Sequence, residues 1–324
     1  MNAYLIPGFT LVWTGNFAFL VMATGFIRLI RARLTLTHYR ELVQRVRSWW
    51  LIFGIFTVLF FADVTIFLVF LTLLSFLAFR EFVSIIPTWR SDRKAILLAY
   101  LCIPIQYFWI SQRWYGLFIV FIPVFMFLGL QACFMTRGET KHYLKSFSSL
   151  YFGLMTAVFS LSHLGFLINL PVNPAANYSG ACIVVYLLVL TQLNDVSQYI
   201  WGKCFGNKKV TPQISPDKTR TGLIGGIVTT VLLSLLMAPV LTPFPPSMAL
   251  IAGILISITG FFGDLSISAI KRDLGIKNTG SLLPGHGGIL DRVDSLTFTA
   301  PVFFYVFYFY SVNSGYISCT IFPS

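Results

Sequence analysis

Gly263–Asp294 reads GDLSISAIKRDLGIKNTGSLLPGHGGILDRVD, and this polar stretch lies between two long apolar runs. Its 32 residues include four of the chain's eleven carboxylates, four Lys or Arg side chains and six glycines. Charged side chains at membrane depth are costly, so they usually pair with one another, line water or take part in chemistry. The polar stretch therefore indicates a membrane-embedded fold and marks the place where its function is concentrated.

The composition of the whole chain indicates a polytopic membrane protein. Of its 324 residues, 56% are hydrophobic and only 10% are charged, whereas soluble domains have about 25% charged residues. Mean hydropathy is +0.80. Backbone groups inside a bilayer must be hydrogen bonded within each span, and long continuous apolar runs argue against the alternating strands of a barrel. We therefore predict an all-α, integral membrane protein.

Apolar runs predict about ten transmembrane helices. A span needs about 20 residues, and the second and fourth runs are shorter, so nine spans with a re-entrant piece remain the alternative. Basic side chains concentrate in alternate loops, such as 31–48 and 202–221, and the positive-inside rule places these loops in the cytoplasm. Both termini are then expected outside. The predicted spans are 8–30, 49–63, 64–82, 95–111, 114–133, 147–170, 179–201, 222–242, 247–270 and 296–316.

Cysteines, histidines and net charge exclude several classes of function. The five cysteines show no CxxC spacing and the four histidines are scattered, so neither a disulfide framework nor a zinc site is expected. The net charge of +12 is explained first by retention of Lys and Arg in cytoplasmic loops. Binding of anionic lipid headgroups or polyphosphates is compatible with the same charge, and nucleic acid is not an expected partner.

The first half of the chain predicts no chemistry. Up to about residue 133 it consists mostly of Phe, Leu, Ile and Val. Arg80 and Glu81 are adjacent at the end of a predicted span, and we interpret them as an interfacial ion pair or as snorkelling anchors. Asp63, between two spans, is interpreted as a turn residue.

Helical spacing places several charged groups of the polar stretch together. At 100° per residue, Asp264, Ser268 and Lys271 fall on one helix face, and Arg272 lies beside them. A carboxylate can hold Mg²⁺, while Lys or Arg can hold phosphate oxygens. This helix end is therefore a candidate site for a metal and a phosphate.

A glycine-rich turn, Pro284–Gly288, separates that helix end from the next helix. His286 within the turn is interpreted either as an oriented turn residue or as a substrate contact. Asp291 and Asp294 are three apart and share a face of the next helix. Two carboxylate-bearing helix ends that converge on one cation predict phosphoryl or nucleotidyl transfer. The alternative is a salt-bridged helical hairpin in the headgroup zone, whose ion pairs would each be weak.

A second polar region follows the apolar run 179–201. Its sequence, CFGNKKVTPQISPDKTRTGLIGG, carries Lys218 between the hydroxyls of Ser215 and Thr219 and leads into a helix opened by glycines. Such a loop suits phosphate groups, and a flexible basic cytoplasmic loop explains it equally well. Asp195 and Gln198 lie just before it in a hydrophobic frame.

These elements resemble the phosphatidate cytidylyltransferases, also called CDP-diacylglycerol synthases. The polar stretch is similar to the family signature in its Ser-x-x-Lys-Arg run, its later lysine, and its Leu-Pro-Gly-His-Gly-Gly turn followed by Asp-Arg-x-Asp. Asp195–Tyr199 resembles a D-x-x-A-Y element, and Ser215–Thr219 resembles an S-P-x-K-T loop. The resemblance covers about 190–296. It departs from the family pattern at four positions, Gln198 (usually Ala), Thr221 (usually Glu or Gln), Ile267 (usually Glu) and Asn278 (usually Asp).

The resemblance implies a Mg²⁺-dependent membrane enzyme that joins CTP and phosphatidate, an anionic lipid, to give CDP-diacylglycerol and pyrophosphate. We predict N-terminal transmembrane helices over 1–146 and a catalytic region over 147–324. The short loops favour a bacterial inner membrane, the basic loops place the active site on the cytoplasmic side, and a homodimer is compatible with this organisation. Metal ligation falls on Asp264 and Asp291. The catalytic set is Asp264, Lys271, Arg272, Asp291 and Asp294. The substrate-binding set is Asp195, Ser215, Lys218, Thr219, Ser268, Lys277, His286 and Arg292.

Other functions stay open at the level of sequence. The chain is alternatively a relative that uses a different lipid-phosphate acceptor or nucleotide, because two of its four differences from the family pattern remove a carboxylate. A non-catalytic, regulatory membrane protein that keeps the fold is another. A transporter is a weaker alternative, since no paired inverted repeats with broken helices are evident.

Overall fold

The computed structural model describes residues 7–29, 31, 36–136, 141–170, 178–280 and 287–316. Within these ranges the chain forms helices joined by short connections and one small antiparallel hairpin. The helices are α1 Pro7–Leu29, α2 Leu36–Phe61, α3 Val64–Ile85, α4 Arg93–Ser111, α5 Tyr115–Met135, α6 Tyr143–Ile168, α7 Gly180–Phe205, α8 Arg220–Leu241, α9 Pro246–Asp273 and α10 Leu290–Asn313. The strands are β1 Lys209–Thr211 and β2 Ser215–Thr219.

Nine helices of the described chain are long and apolar enough to cross a membrane. The exception is α2, in which only Trp49–Phe61 forms a shorter apolar piece. At 1.5 Å per residue such a piece spans about 20 Å, less than the hydrocarbon core of about 30 Å. The all-α membrane fold is therefore confirmed. Within the described chain nine long helices correspond to nine of the ten predicted spans, and the predicted span 49–63 corresponds to the shorter piece of α2, a helix that begins at Leu36, inside the predicted loop 31–48. Ten crossings, and nine with a re-entrant piece, are both compatible with these helices.

A buried polar network joins α7, α8 and α9. Asn194 Oδ1 accepts hydrogen bonds from Thr230 Oγ1 of α8 at 3.1 Å and from Ser257 Oγ of α9 at 2.6 Å. The same oxygen accepts from Gln198 Nε2, one turn along α7, at 3.1 Å. Side-chain hydrogen bonds of this kind join helices where lipid offers no competing partner. The network fixes the relative rotation of the three helices that surround the site described below.

Glycines let α8 approach α7 closely. A Cβ on Gly222 would lie 2.6 Å from the carbonyl oxygen of Gln198, and one on Gly226 would overlap the Gln198 side chain. Small residues at such contacts allow the van der Waals packing that replaces the hydrophobic effect between helices in lipid. These glycines, interpreted from sequence as the opening of a span, are thus also a packing surface.

The region 202–221 is partly ordered as a hairpin, which the sequence interpretation did not predict. Strands β1 and β2 pair antiparallel, with Lys209 opposite Thr219 and Thr211 opposite Ser215. Arg272 Nε, at the end of α9, donates to the carbonyl oxygen of Ile214 in the connection at 3.1 Å. This hydrogen bond ties the hairpin to the polar stretch, so the region is not simply a flexible basic loop.

Candidate active site

A cavity of about 270 Å³ lies where α7, β2, α8, α9 and α10 meet. The chain brings side chains from positions 195 to 294 into it, because the α7–α9 network and the hairpin hold these elements together. Its walls are formed by Asp195, Gln198, Tyr199, Asp217, Lys218, Thr219, Gly222, Leu223, Phe261, Asp264, Asp291 and Asp294.

Acidic side chains outnumber basic ones in the wall of this cavity. Five of the described lining residues are aspartates and one is a lysine. The aspartates at 195, 264 and 294 are close enough for their charges to interact. We expect a triphosphate to enter such a cavity together with additional positive charge, because its own charges and those of ionised aspartates repel one another. We therefore expect the cavity to bind cations, and to bind anions only together with cations.

Asp264 is positioned on α9 between a lysine and a serine. Lys218 Nζ lies 2.6 Å from Asp264 Oδ2, and Ser268 Oγ, one turn further along the helix, donates to Oδ1 at 3.2 Å. The Lys218 ammonium also lies 5.3 Å from the centre of the Phe261 ring. The strand β2 thus places the lysine of the S-P-x-K-T loop directly on the carboxylate of α9.

Asp291 lies in the first turn of α10 and is held by four donors. Lys271 Nζ is 2.8 Å from Oδ1. The N–H and the hydroxyl of Thr279 each lie 3.0 Å from Oδ2, and the N–H of Gly288 lies 3.1 Å from the same oxygen. Asp291 therefore binds Thr279 and Gly288, which precede its own helix, as well as lining the cavity.

Asp195 and Asp294 are joined through Ser295. Ser295 Oγ donates to Asp195 Oδ2 at 2.8 Å, and the Ser295 N–H donates to Asp294 Oδ1 at 2.7 Å. Asp195 Oδ1 is buried and has no hydrogen-bond partner among the described residues. A buried carboxylate oxygen without a donor is costly, so this atom is available to a ligand in the cavity.

The donor set of the cavity fits Mg²⁺. Carboxylate oxygens are the ligands this ion prefers, and it commonly takes one or two carboxylates and completes its shell with waters and substrate phosphates. Asp195 Oδ1, which has no hydrogen-bond partner among the described residues, adds one more carboxylate oxygen for a cation. Among the described residues no three His, Cys, Asp or Glu side chains form a metal site by themselves. Such a site needs oxygens from water or substrate.

The structure brings together six of the predicted site residues as cavity walls: Asp195, Lys218, Thr219, Asp264, Asp291 and Asp294. Ser268 and Lys271 bind two of those aspartates. Thr219 is also the N-cap of α8, since its Oγ1 accepts from the Gly222 N–H at 3.0 Å. Thr219 also lines the cavity, and its role in substrate binding stays a prediction.

The remaining predicted residues are not among the cavity walls or lie outside the described residues. Ser215 begins β2, and Arg272 contacts the hairpin. Lys277 and Arg292 are exposed. His286 lies outside the described residues, so its proposed role stays a prediction.

Sequence interpretation missed several residues that the structure places at or behind the cavity. Asp217, Tyr199 and Phe261 line it without having been assigned a role; Asp217 lies inside the S-P-x-K-T loop and was the most accessible to prediction. The structure differs most from the sequence interpretation at Glu81. It is 5% exposed and accepts a hydrogen bond from the Leu290 N–H at 2.9 Å, so its interpretation as an interfacial ion-pair residue was wrong.

Comparison with known proteins finds a family that matches most of the chain. The model of the cytidylyltransferase family matches residues 43–310, well beyond the stretch on which the resemblance was based. The chain is 43% identical over 293 residues to "Uncharacterized protein YnbB" of Escherichia coli K12, an alignment that covers 89% of this chain and 95% of that relative.

Phosphatidate cytidylyltransferases are similar over a shorter range. The Haemophilus influenzae protein is 36% identical over 137 residues, which is 41% of this chain and 48% of that relative. The Bacillus subtilis protein is 38% identical over 133 residues, 41% of this chain and 49% of that relative. The chain thus matches about half the length of these two relatives.

Proposed function

The chain belongs to the cytidylyltransferase family, and from that premise we propose that it transfers a cytidylyl group from CTP to phosphatidate. The observation that carries the proposal is the acidic cavity, in which five aspartates face one lysine. Such a cavity has to bind its nucleotide with divalent cations, and this is the arrangement that phosphoryl and nucleotidyl transfer use. The nine long apolar helices make it an integral membrane protein.

The proposed reaction is an in-line displacement at the α-phosphorus of CTP. A phosphate oxygen of phosphatidate forms the new bond to that phosphorus, and the bond to the bridging oxygen of the β-phosphate breaks. Pyrophosphate leaves with that electron pair, and CDP-diacylglycerol is the product. The attacking phosphate is already ionised near neutral pH, so the site needs to orient groups and neutralise charge more than it needs a strong base.

Four of the five aspartates of the cavity, and the two lysines that bind them, have a proposed part in this reaction. Asp264 and Asp291 are the proposed Mg²⁺ ligands, with Asp195 and Asp294 as neighbouring carboxylates. Mg²⁺ would supply charge neutralisation between these carboxylates and the phosphate oxygens. Lys218 and Lys271 hold their ammonium groups at the two proposed ligands, where they would also neutralise phosphate charge.

The remaining cations would act at the edge. Arg272 holds the hairpin through Ile214, and we assign Lys277 and Arg292, both exposed, to the approach of anionic substrates. Ser215, Ser268 and Thr219 would orient the triphosphate and the carboxylates, and His286 is assigned to the turn beside them. The site is proposed to face the cytoplasm of a bacterial inner membrane, where CTP and the lipid headgroup meet.

The test is a direct assay of the purified protein in detergent with phosphatidate, labelled CTP and Mg²⁺. We expect labelled CDP-diacylglycerol and one pyrophosphate for each product, no product when Mg²⁺ is chelated, and strong loss of product in Asp291→Ala. Absence of product at every Mg²⁺ concentration, or product that Asp291→Ala leaves unchanged, would contradict the proposal.

A second candidate is transfer to a different lipid phosphate, and one observation favours it. Gln198 lines the cavity and its Oε1 is buried without a partner among the described residues, at a position where the resembling element usually has alanine. An unpaired amide oxygen can accept a hydrogen bond from a hydroxyl group of the lipid substrate. A panel of lipid phosphates with and without free hydroxyls tests this, because Gln198→Ala should then change the order of acceptor preference. An unchanged order would exclude the role of Gln198.

A further inference from the structure

Glu81 is a buried carboxylate in the half of the chain for which sequence predicted no chemistry. It lies near the end of α3, 209 positions from the residue that it contacts in the first turn of α10. Its neighbour Arg80 is exposed, whereas Glu81 is 5% exposed. Burying a carboxylate costs free energy unless hydrogen bonds or charges compensate it. The contacts that Glu81 makes therefore indicate why it is there.

Glu81 binds the start of α10 directly. Its Oε2 accepts a hydrogen bond from the Leu290 N–H at 2.9 Å. The first N–H groups of a helix have no acceptor within the helix, and a carboxylate is favoured there by the helix dipole. Glu81 thus caps a helix from a different part of the chain, and Asp291 follows the capped residue immediately.

Two glycines of the polar stretch make room for Glu81. A Cβ on Gly280 would lie 2.9 Å from Glu81 Oε1, and a Cβ on Gly288 would overlap Oε2. Gly288 also donates its N–H to Asp291 Oδ2 at 3.1 Å. One residue of the turn therefore contacts Glu81 on one side and a proposed metal ligand on the other.

We propose that Glu81 is a positioning residue of the active site: it holds the Gly288–Leu290 backbone in the geometry that directs Asp291 and Asp294 into the cavity. The contacts run from α3 through Leu290 and Gly288 to Asp291, and from Asp291 to Lys271. Through this residue the N-terminal helices take part in building the site and are more than a membrane anchor.

A purely stabilising role explains Glu81 less well. Its Oε1 is buried and has no hydrogen-bond partner in the described part of the chain. Replacement of incompletely paired buried charges by apolar side chains is often neutral or stabilising, so stability alone gives little reason for a carboxylate here. A requirement for a defined backbone geometry at Leu290 gives that reason.

The test compares Glu81→Ala and Glu81→Gln with Ser75→Ala. Ser75 is the matched control, because it is a buried polar residue of the same helix α3 and its hydroxyl bonds Tyr107 of α4 at 2.7 Å. Amide hydrogen exchange of the ligand-free protein in detergent reports the geometry of the turn, thermal unfolding reports global stability, and the rate of cytidylyl transfer reports the site. The transfer readout rests on the proposed function, whereas the exchange readout does not.

We expect Glu81→Ala to speed exchange in the peptide that covers Gly287–Asp291 by roughly fivefold, as loss of one hydrogen bond implies. Exchange in α4 and α5 should be unchanged. Transfer should fall about 10–100-fold, as it does when a residue that orients a metal ligand is removed. Glu81→Gln keeps an acceptor oxygen and should restore much of the protection, and Ser75→Ala should alter neither readout.

Unchanged exchange at the turn in both Glu81 variants would overturn the proposal. So would exchange that rises equally throughout the molecule with a lowered unfolding temperature, since that result means a global structural role. If the unaltered protein transfers no cytidylyl group while the local exchange response is present, the proposed function fails and the positioning role of Glu81 stands.

Discussion

At the scale of single residues, Lys218 supplies the positive charge among the described residues that line the cavity. Its ammonium lies 2.6 Å from the carboxylate of Asp264, a proposed metal ligand, so the two side chains form an ion pair. A metal on Asp264 would free Lys218 for phosphate, and phosphate on Lys218 would free Asp264 for metal. Metal and nucleotide are therefore expected to favour each other's binding.

This arrangement predicts the effect of Lys218→Gln. Hydrogen bonds between charged groups contribute about 1.5–3 kcal/mol, so KM for CTP should rise roughly 10–100-fold. The apparent affinity for Mg²⁺ without nucleotide should not fall, because Asp264 loses a competing cation. Steady-state kinetics and metal titration measure the two effects. Lys208→Gln removes the same charge from an exposed position in the same region and should change KM less than twofold; equal effects of both variants would show that only net charge matters.

The pairing of charges shows how far sequence could predict the site. Spacing correctly placed Asp264, Ser268 and Lys271 on one face of a helix, and the structure confirms the Ser268 contact. Residues 264 and 271 are two turns apart, however, about 10 Å along the axis, which is too far for a direct ion pair. Lys271 instead binds Asp291 of α10, and Asp264 receives Lys218. Partners from different helices depend on packing that local periodicity does not contain.

At the scale of elements, the close contact of α7 and α8 sets the width of the cavity. Gly222 lies in the cavity wall and against the Gln198 carbonyl oxygen, which a Cβ would approach to 2.6 Å. The residue also donates its N–H to Thr219, the cap of α8. Separation of the two helices would therefore move both Asp195 and Lys218, which lie on either side of this contact.

Gly222→Ala should therefore lower stability as well as activity. The added methyl group must push α7 and α8 apart, and overpacking of this kind costs about 1–3 kcal/mol. A lowered midpoint of thermal unfolding in detergent measures the effect. Gly129→Ala on α5 is the matched control, because its Cβ would meet nothing closer than a Leu98 methyl at 3.9 Å. A Gly222→Ala protein as stable as Gly129→Ala would show that the helices are not packed as described.

Elements differed in how well the sequence predicted them. Long apolar runs predicted most of the helices with errors of a few residues at their ends, because a span needs about 20 consecutive apolar residues. The exception is α2, which begins at Leu36 although the apolar run begins at residue 49. The hairpin of β1 and β2 was missed, because Pro212 and Pro216 indicate only that no helix continues there. Its order depends on distant contacts such as the Arg272 bond to Ile214.

At the scale of the whole molecule, the arrangement of α1 and α2 decides on which side the chain begins. Ten crossings place both termini outside, and nine place them on opposite sides. Trp49–Phe61 is a shorter apolar piece within the 26-residue helix α2, and the basic residues of 31–48 precede it. The positive-inside rule keeps that loop in the cytoplasm, which requires the short piece to cross with local thinning of the bilayer.

We therefore expect both ends of the chain to react outside the cell. Single cysteines placed ahead of α1 at Asn2 and after α10 at Ser314, in a background without native cysteines, should react with a membrane-impermeant maleimide in intact cells. A cysteine at position 204, exposed at the end of α7, should react only after permeabilisation and serves as the internal control. Labelling of Ser314→Cys but not of Asn2→Cys in intact cells would instead show nine crossings.

The whole-molecule organisation also shows a limit of sequence analysis. The division into 1–146 and 147–324 stays a prediction, and the Glu81 contact with α10 crosses it. A charged residue in an apolar helix was the available signal. Its target lay 209 positions away in the polar stretch, so the sequence offered an ion pair with Arg80 as the simpler explanation.

Cytidylyl transfer is proposed to take place in the acidic cavity, to which α9 contributes Asp264 and α10 contributes Asp291 and Asp294. Its most direct test is the rate of labelled CDP-diacylglycerol formation by Asp264→Asn and Asp273→Asn at saturating CTP and phosphatidate over a range of Mg²⁺ concentrations. Both variants remove one carboxylate charge from α9, but Asp264 lines the cavity and Asp273 is exposed at the end of the helix. The account predicts a loss on the order of 100-fold for Asp264→Asn and less than a twofold change for Asp273→Asn. Equal rates for the two variants, or an Asp264→Asn protein as active as the unaltered one, would contradict it.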